Sequence, residues 1–420
     1  MIGTMYKAYT GLEANGVGLN VIGNNLANMN TVGFKRGQAN FSQLMTNVLD
    51  GASGNGNPVQ FGLGVNTAEV VNYFNQGSFL ATGVETHLAL EGRGFFAVNI
   101  NGNTSYTRAG NFSLTGAGEL VTPYGGNVQG YTELNPDGTI NTDGAIGNIV
   151  IDFETLSPAE PTSVVRFVSN LSAAATEGEE FISSLEIYDS NGDPQVLEIV
   201  FNKTATPGEW TYRFQTEAGD LSTTVPNHSS GTIQFAANGT LAEIDGTPID
   251  QYQNRDLTIS NIPNAEDLTF TWDLLDTDNP DNFGFLTNLG IRSNTGSVFQ
   301  DGSSSGELQR IEFDRNGVMT GFFTNGDTIP LAHLALATFG NNQGLKQSNG
   351  SFFTATAASG VPTITPAGGA LILSGVLETS NVDIAEEFTG LIIHQRGFQS
   401  NSKSIQTADQ VLQELVNLKR

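Results

Sequence analysis

The sequence has no cysteine in 420 residues, only four histidines, and 17 Lys and Arg against 43 Asp and Glu. The first absence removes disulfide staples, Cys-based zinc sites, thiol nucleophiles and iron-sulfur clusters together. His87, His228, His333 and His394 are scattered, with no HExxH and no close pair, so neither a metal centre nor a catalytic constellation built on histidine is expected. The shortage of basic residues gives a net charge of -26 and argues against nucleic acid or anionic lipid as a partner, because both need clustered cations to neutralise phosphates. Long apolar runs are missing too. No stretch approaches the roughly 20 residues of a membrane-spanning helix. Residues 2–26 are broken by Gly3, Gly11, Asn15, Gly16, Gly18, Asn20 and Gly23, leaving no apolar core for a cleaved signal. If the protein leaves the cytoplasm, the expected route needs no signal cleavage.

What is present suffices for folding. Hydrophobic residues at 38%, with 50 Gly, reach the usual apolar share of a globular chain, and the length allows two or three domains. The two ends share one pattern. Met5, Leu12, Leu19 and Leu26 recur every seven residues beside Ala8, Asn15, Ile22 and Met29, as in a coiled-coil-like helix. Near the other end Ile384, Leu391, Phe398, Ile405 and Leu412 repeat in the same way, joined by Phe388, Ala408, Leu415 and Leu418. Ser380 and Asp383 stand at capping-box spacing before this second helix, and Lys419 and Arg420 suit its negative end. One narrow apolar stripe per helix suggests that the two pair and that the rest of the chain is inserted between them. Gly11, Gly16, Gly18 and Gly23 cost the first helix about 1 kcal/mol each in propensity, so it should be helical only against close neighbours.

Between the ends, β-branched and aromatic runs alternate with Asn-Gly and Asp-Gly pairs such as Asn101-Gly102, Asp137-Gly138 and Asn238-Gly239, the strongest short-range hairpin signal. Strands are expected at 88–100, 105–114, 164–168, 184–188, 196–202, 210–215, 232–235, 268–274, 308–313 and 331–339. The fold class is therefore mainly β with terminal α-helices: a helical domain from both termini and two antiparallel β domains nested within it. Residues 51–57 and 301–306 read as flexible connectors.

The chemical motifs dissolve on inspection. Gly302-Ser303-Ser304-Ser305-Gly306 has the spacing of a hydrolase nucleophile elbow, but a strand-like segment follows where a helix is required. Asp189-Ser190-Asn191-Gly192-Asp193 opens like a calcium loop yet carries Pro194 and Val200 where Gly and Glu are needed. No catalytic residue, metal or cofactor is expected.

The segment Asn24-Asn25-Leu26-Ala27-Asn28-Met29-Asn30-Thr31-Val32-Gly33-Phe34-Lys35 is different. Taken alone it reads as a helix ending at Asn30 with Gly33 closing the turn. Together with Gly92-Arg93-Gly94-Phe95-Phe96, Tyr106-Thr107-Arg108-Ala109-Gly110-Asn111-Phe112, Leu377-Glu378-Thr379-Ser380-Asn381-Val382-Asp383 and Gln395-Arg396-Gly397-Phe398-Gln399-Ser400-Asn401, it closely resembles the signature of the bacterial flagellar rod and hook family of axial proteins. Rod members of that family run from the first β domain to the terminal helix with little between. The extra residues 146–299 point to the hook branch. The resemblance implies a structural, non-enzymatic subunit that polymerises into a short curved tube, a flexible joint carrying torque. It implies export through the type III apparatus without signal cleavage and a place in the flagellar hook and basal body, outside the cell. Implied partners are further copies of the chain, the distal rod protein, the hook cap or scaffolding protein and the hook-filament junction protein, with no nucleic acid and no membrane insertion. The expected organisation is 1–33 plus 380–420 as the inner-tube helices, 34–75 as a connecting linker, 76–145 plus 300–379 as a first β domain and 146–299 as an inserted outer one. Asn15, Asn20, Asn24, Asn28, Gln399, Gln406 and Gln410 would line a channel wall. A distal rod protein with an unusual insertion is the nearer alternative, and a secreted glycan-active enzyme or adhesin the remote one.

Overall fold

The computed structural model describes residues 2–44, 46–49, 59–153, 156–217, 219–221, 229–249, 255–275, 284–366 and 369–417. His228, the 51–57 connector and the final Leu418, Lys419 and Arg420 lie outside the described residues. The chain forms two compact units, one of residues 1–153, 310–321 and 328–420, the other of residues 154–309 and 322–327.

The first unit carries both helices, α1 (Ile2–Ala27) and α2 (Ile384–Asn417). The cap of α2 is Asp383 itself: its Oδ1 accepts from the amides of Ala385 at 2.8 Å and Glu386 at 3.1 Å. Ser380 is therefore outside the helix rather than at its cap, and Glu386 and Glu387 complete an acidic first turn. The α1 helix stops at Ala27, three residues short of the expected Asn30. The amide side chains compete for its last carbonyls. Asn28 Nδ2 donates to Asn24 O at 2.9 Å, and Asn28 Oδ1 accepts from the Thr31 hydroxyl at 3.1 Å.

Residues 34–75, expected as a linker, hold an antiparallel ribbon of Gly37–Gln43 against Val65–Asn72 with a bulge at Asn40/Phe41. Glycine and amides hide the β-forming Val65, Val70 and Val71 in this stretch. The β body of this unit centres on Phe95–Ile100, which pairs with Asn103–Thr107, Asn127–Tyr131 and Leu336–Thr338. The strand expected over 88–100 breaks at Gly92 and Gly94, whose φ of 113° and 139° few other residues adopt. The piece before the break, Leu88–Glu91, pairs with Leu371–Ser374, and Phe79–Ala81 pairs with Val376–Glu378. Edge-to-face rings of Phe74, Phe95, Tyr106, Phe339 and Phe353 fill the core.

The second unit is two sheets over one core. Glu180–Tyr188, Pro194–Lys203, Glu209–Thr216 and Ser230–Phe235 form an antiparallel meander. Trp210, Tyr212 and Phe214 alternate inward and meet Trp272 and Phe270 of the other sheet, with Phe214 and Trp272 at 4.9 Å and 87°. That second sheet is mixed, because Val164–Asn170 runs parallel to Leu268–Trp272 and to Leu286–Thr287 and antiparallel to Asn294–Gln300. Residues 300–309 and 322–327 belong to this unit, beyond the 146–299 boundary drawn from sequence. Here Leu156 pairs with Glu307 and Ser157 with Gly306.

Candidate assembly site: the helix pair and the polar knot beneath it

The two helices are antiparallel, and glycine sets how closely they approach. A methyl group at Gly11 would lie 2.7 Å from Asn401 Nδ2, at Gly18 2.7 Å from the His394 ring, at Gly397 2.6 Å from Asn15 Oδ1 and at Gly390 3.1 Å from Ile22 Cδ1. Each side therefore offers glycines seven residues apart to the other: Gly11, Gly18 and Gly397 face polar side chains and Gly390 faces Ile22. His394 Nδ1 lies 3.0 Å from Asn15 Oδ1, and Asn15 Nδ2 donates to Gly11 O at 2.6 Å. Asn15 thus sits in the helix contact and not on a solvent-facing wall.

Pairing therefore does not run through the large apolar columns. Leu12 and Leu19 each follow a contact-line glycine by one residue, as do Leu391 and Phe398. One residue is a turn of about 100° on a helix. In an antiparallel pair, the same rotation from the contact line places both columns on the same side. Met5, Leu12, Leu19, Leu26, Leu391, Ile405 and Leu412 are half-buried there, whereas Ile22 is buried in the helix contact against Gly390. Ile384 is 47% exposed and Phe388 53%, with Phe398 at 37%. Leu415 lies within α2, with its side chain outside the described residues. The pair thus presents a long apolar face that the described chain covers only in part.

Beneath the pair, the amide-rich segment ends in a buried charged knot. Asn25, 1% exposed, receives the Gly37 amide on Oδ1 at 2.9 Å and donates from Nδ2 to Gly37 O at 2.8 Å and to Glu387 Oε2 at 3.0 Å. Glu387 and Glu386 pair with Arg36 at 2.9 and 2.5 Å. Lys35, fully buried, donates to Glu378 Oε1 at 2.6 Å and to Asn75 O at 2.8 Å. The same carboxylate oxygen accepts from the Gly77 amide at 2.8 Å, and Arg108 Nη1 lies 3.5 Å from Oε2. Burial pushes the Lys35 ammonium and the Arg108 guanidinium below their ordinary pKa values, and in both the Glu378 carboxylate opposes the fall. Gly33, with φ +65°, packs onto the Arg108–Ala109 backbone, where a methyl group would lie 2.5 Å from Ala109 N. Phe34 is buried beside it, Asn28 and Thr31 are half-buried, and Asn24, Ala27 and Asn30 face outward. The segment therefore divides: Asn25, Gly33 and Phe34 hold structure, whereas Asn24, Ala27 and Asn30 lie at the surface, Asn24 accepting from Asn28 Nδ2.

Residue patterns alone gave Lys35, Arg108 and Glu378 no role, although all three stand in the family-like strings, and read Glu387 only as an acidic residue suited, with Asp383 and Glu386, to the positive end of the second helix. Residues 343 apart cannot be matched by spacing. The one available signal was a set of charges inside otherwise uncharged motifs. The serine string 302–306 runs straight into the strand Gly306–Phe313, so no nucleophile elbow forms. Asp189 closes a turn, its Oδ1 accepting from the amides of Asn191 and Asp193.

Comparison with known proteins gives four collinear matches to family profiles. They are flagella basal body rod protein over 5–35, flagellar hook protein FlgE/F/G D1 domain over 89–157, flagellar basal body protein FlaE D2 domain over 169–385 and flagellar basal body rod FlgEFG protein C-terminal over 373–418. The flagellar hook protein FlgE of Borreliella burgdorferi is 34% identical, covering 100% of both chains. That of Salmonella typhimurium is 31% identical over 98% of this chain and 99% of its own. A crystal structure of Helicobacter pylori flagellar hook protein FlgE2 aligns with 71% of this chain and 100% of that one at 15% identity and a TM-score of 0.46. On full-length identity above 30%, with profile matches at both termini and in both β regions, the chain belongs to the flagellar hook protein FlgE family.

Proposed function

We propose that this structural hook subunit polymerises by burying the common apolar face of α1 and α2 against further copies, giving a curved tube whose flexing wall carries torque from rod to filament. The helices would form the inner tube, with the β regions outside it. The observation that carries the reading is the apolar face itself. A lone chain leaves Ile384, Phe388 and Phe398 between about a third and a half exposed to water, whereas a polymer would repeat the gain of covering them at every subunit. The role is mechanical, with no catalytic step. Family membership supports a place in the hook and basal body; export without signal cleavage, and contacts with the distal rod, hook cap and hook-filament junction proteins, extend that reading.

The test is replacement of Leu19 or Leu391 by Asp. An unpaired carboxylate buried at a subunit contact costs several kcal/mol. The expected result is loss of tubes by electron microscopy and loss of motility, with β-unit melting nearly unchanged. Tubes from either variant would take that leucine out of the subunit contact, and a sharp fall in monomer melting temperature would place it in the fold of the single chain; either result would overturn the proposal.

A further inference from the structure

The knot does more than hold two segments together. Of its charged members at the centre, two are cations that enter early in the chain, Lys35 and Arg108, and the carboxylate that faces both is Glu378. All three are buried. Until residue 378 is in place, closing the β body would bury a lysine and an arginine with no anionic partner, leaving Asn75 O for Lys35, and for Arg108 Leu90 O at 3.3 Å, Gly92 O at 2.6 Å and the face of the Phe95 ring. Glu378 arrives with two strands. Leu371–Ser374 supplies the partner of Leu88–Glu91, and Val376–Glu378 that of Phe79–Ala81. Five residues on, Asp383 caps α2, whose Glu387 receives Asn25 of α1. The carboxylate is thus the last charge needed by the body and lies just before the helix that completes the pair.

We infer that Glu378 is a closing group: the first unit, and with it the helix pair, becomes ordered only when this carboxylate reaches Lys35 and Arg108, so a chain delivered from its amino terminus stays open until about nine-tenths of it has arrived. The inference deepens the proposed assembly and rests on it only for its purpose, since an open chain offers no finished face to a growing polymer. The mechanism is electrostatic and stands in the single chain. Lys35 has its ammonium against one carboxylate oxygen and Arg108 lies near the other, so one group answers both. Glu378→Gln keeps the shape and removes the charge.

Hydrogen exchange on the full-length monomer tests this without any polymer. In Glu378→Gln the amides of 79–81, 88–91 and 104–107 should exchange on the order of a hundredfold faster or more, while 180–188 and 210–216 in the second unit keep their wild-type rates. Adding Lys35→Met to Glu378→Gln removes one of the buried cations and should recover most of the protection. Wild-type protection in Glu378→Gln would overturn the inference. So would a double variant as open as the single one, because side-chain fit rather than charge would then be responsible. Failure of the wild-type chain to form tubes would count against the proposed assembly and leave this result standing.

Discussion

At the scale of single residues, the four interior glycines of α1 separate into two kinds. Gly11 and Gly18 lie where α2 leaves no room for a methyl group, whereas Gly16 and Gly23 have nothing within 4 Å. Gly16→Ala and Gly23→Ala should each add about 1 kcal/mol of helical propensity and raise the helicity of the monomer by circular dichroism. Gly18→Ala should lose that gain by pressing on the His394 ring. Sequence reading counted all four as costs, because propensity is local and the reason for two of them lies on a helix more than 370 residues away. In the second unit, Asp301 offers a pH test. Burial alone would raise its pKa, but the hydroxyl and amide of Ser163 and the amide of Val164 together hold it below the ordinary 3.8. A carboxyl depressed in the folded state contributes stability that is present above pH 3.8 and is lost as pH falls through its lower folded value. Melting of the second unit followed below pH 4 should accordingly be less acid-sensitive in Asp301→Asn than in the parent chain, and less stable at pH 7.

At the scale of elements, the seven-residue repeats are correct as helices, but the contact between them is different from the one they suggested. Apolar spacing identifies a stripe without saying whether the partner is in the same chain. Here α1 and α2 meet through Gly11, Gly18, Gly390 and Gly397, with amides, a histidine and a large apolar side chain, Ile22. A contact of this kind buries little apolar surface, so the pair alone should be weakly held. Amides of α1 and α2 should exchange quickly in the monomer and slowly in tubes, whereas Phe95–Ile100 should be protected in both; slow exchange of the helices in a verified monomer would show that the pair needs no neighbour. The strands were legible wherever β-branched and aromatic residues alternate, as at Trp210, Tyr212 and Phe214. They were misjudged where backbone geometry intervenes. Gly92 and Gly94 split one expected strand, and the ribbon within 34–75 was hidden by its glycine and amide content.

At the scale of the whole molecule, the first unit is discontinuous in sequence, and the Lys35–Glu378 pair closes a loop of 343 residues. The second unit lies inside that loop. Its own ends are already joined, Leu156 beside Glu307 and Ser157 beside Gly306. Once that hairpin-like neck has formed, the roughly 150 residues it encloses no longer count toward the span that Lys35 and Glu378 must bridge. Loop-closure entropy grows only as the logarithm of length, so this shortening is worth about 0.5 kcal/mol. Replacing residues 157–306 with a short Gly-Ser turn should therefore leave the melting of the first unit within about 1 kcal/mol of the parent, as calorimetry can show, and still permit tubes. The inserted unit is in this sense thermodynamically weightless to the body that carries it. Lineages are free to enlarge, trim or exchange it, and the ends of the chain will still find each other.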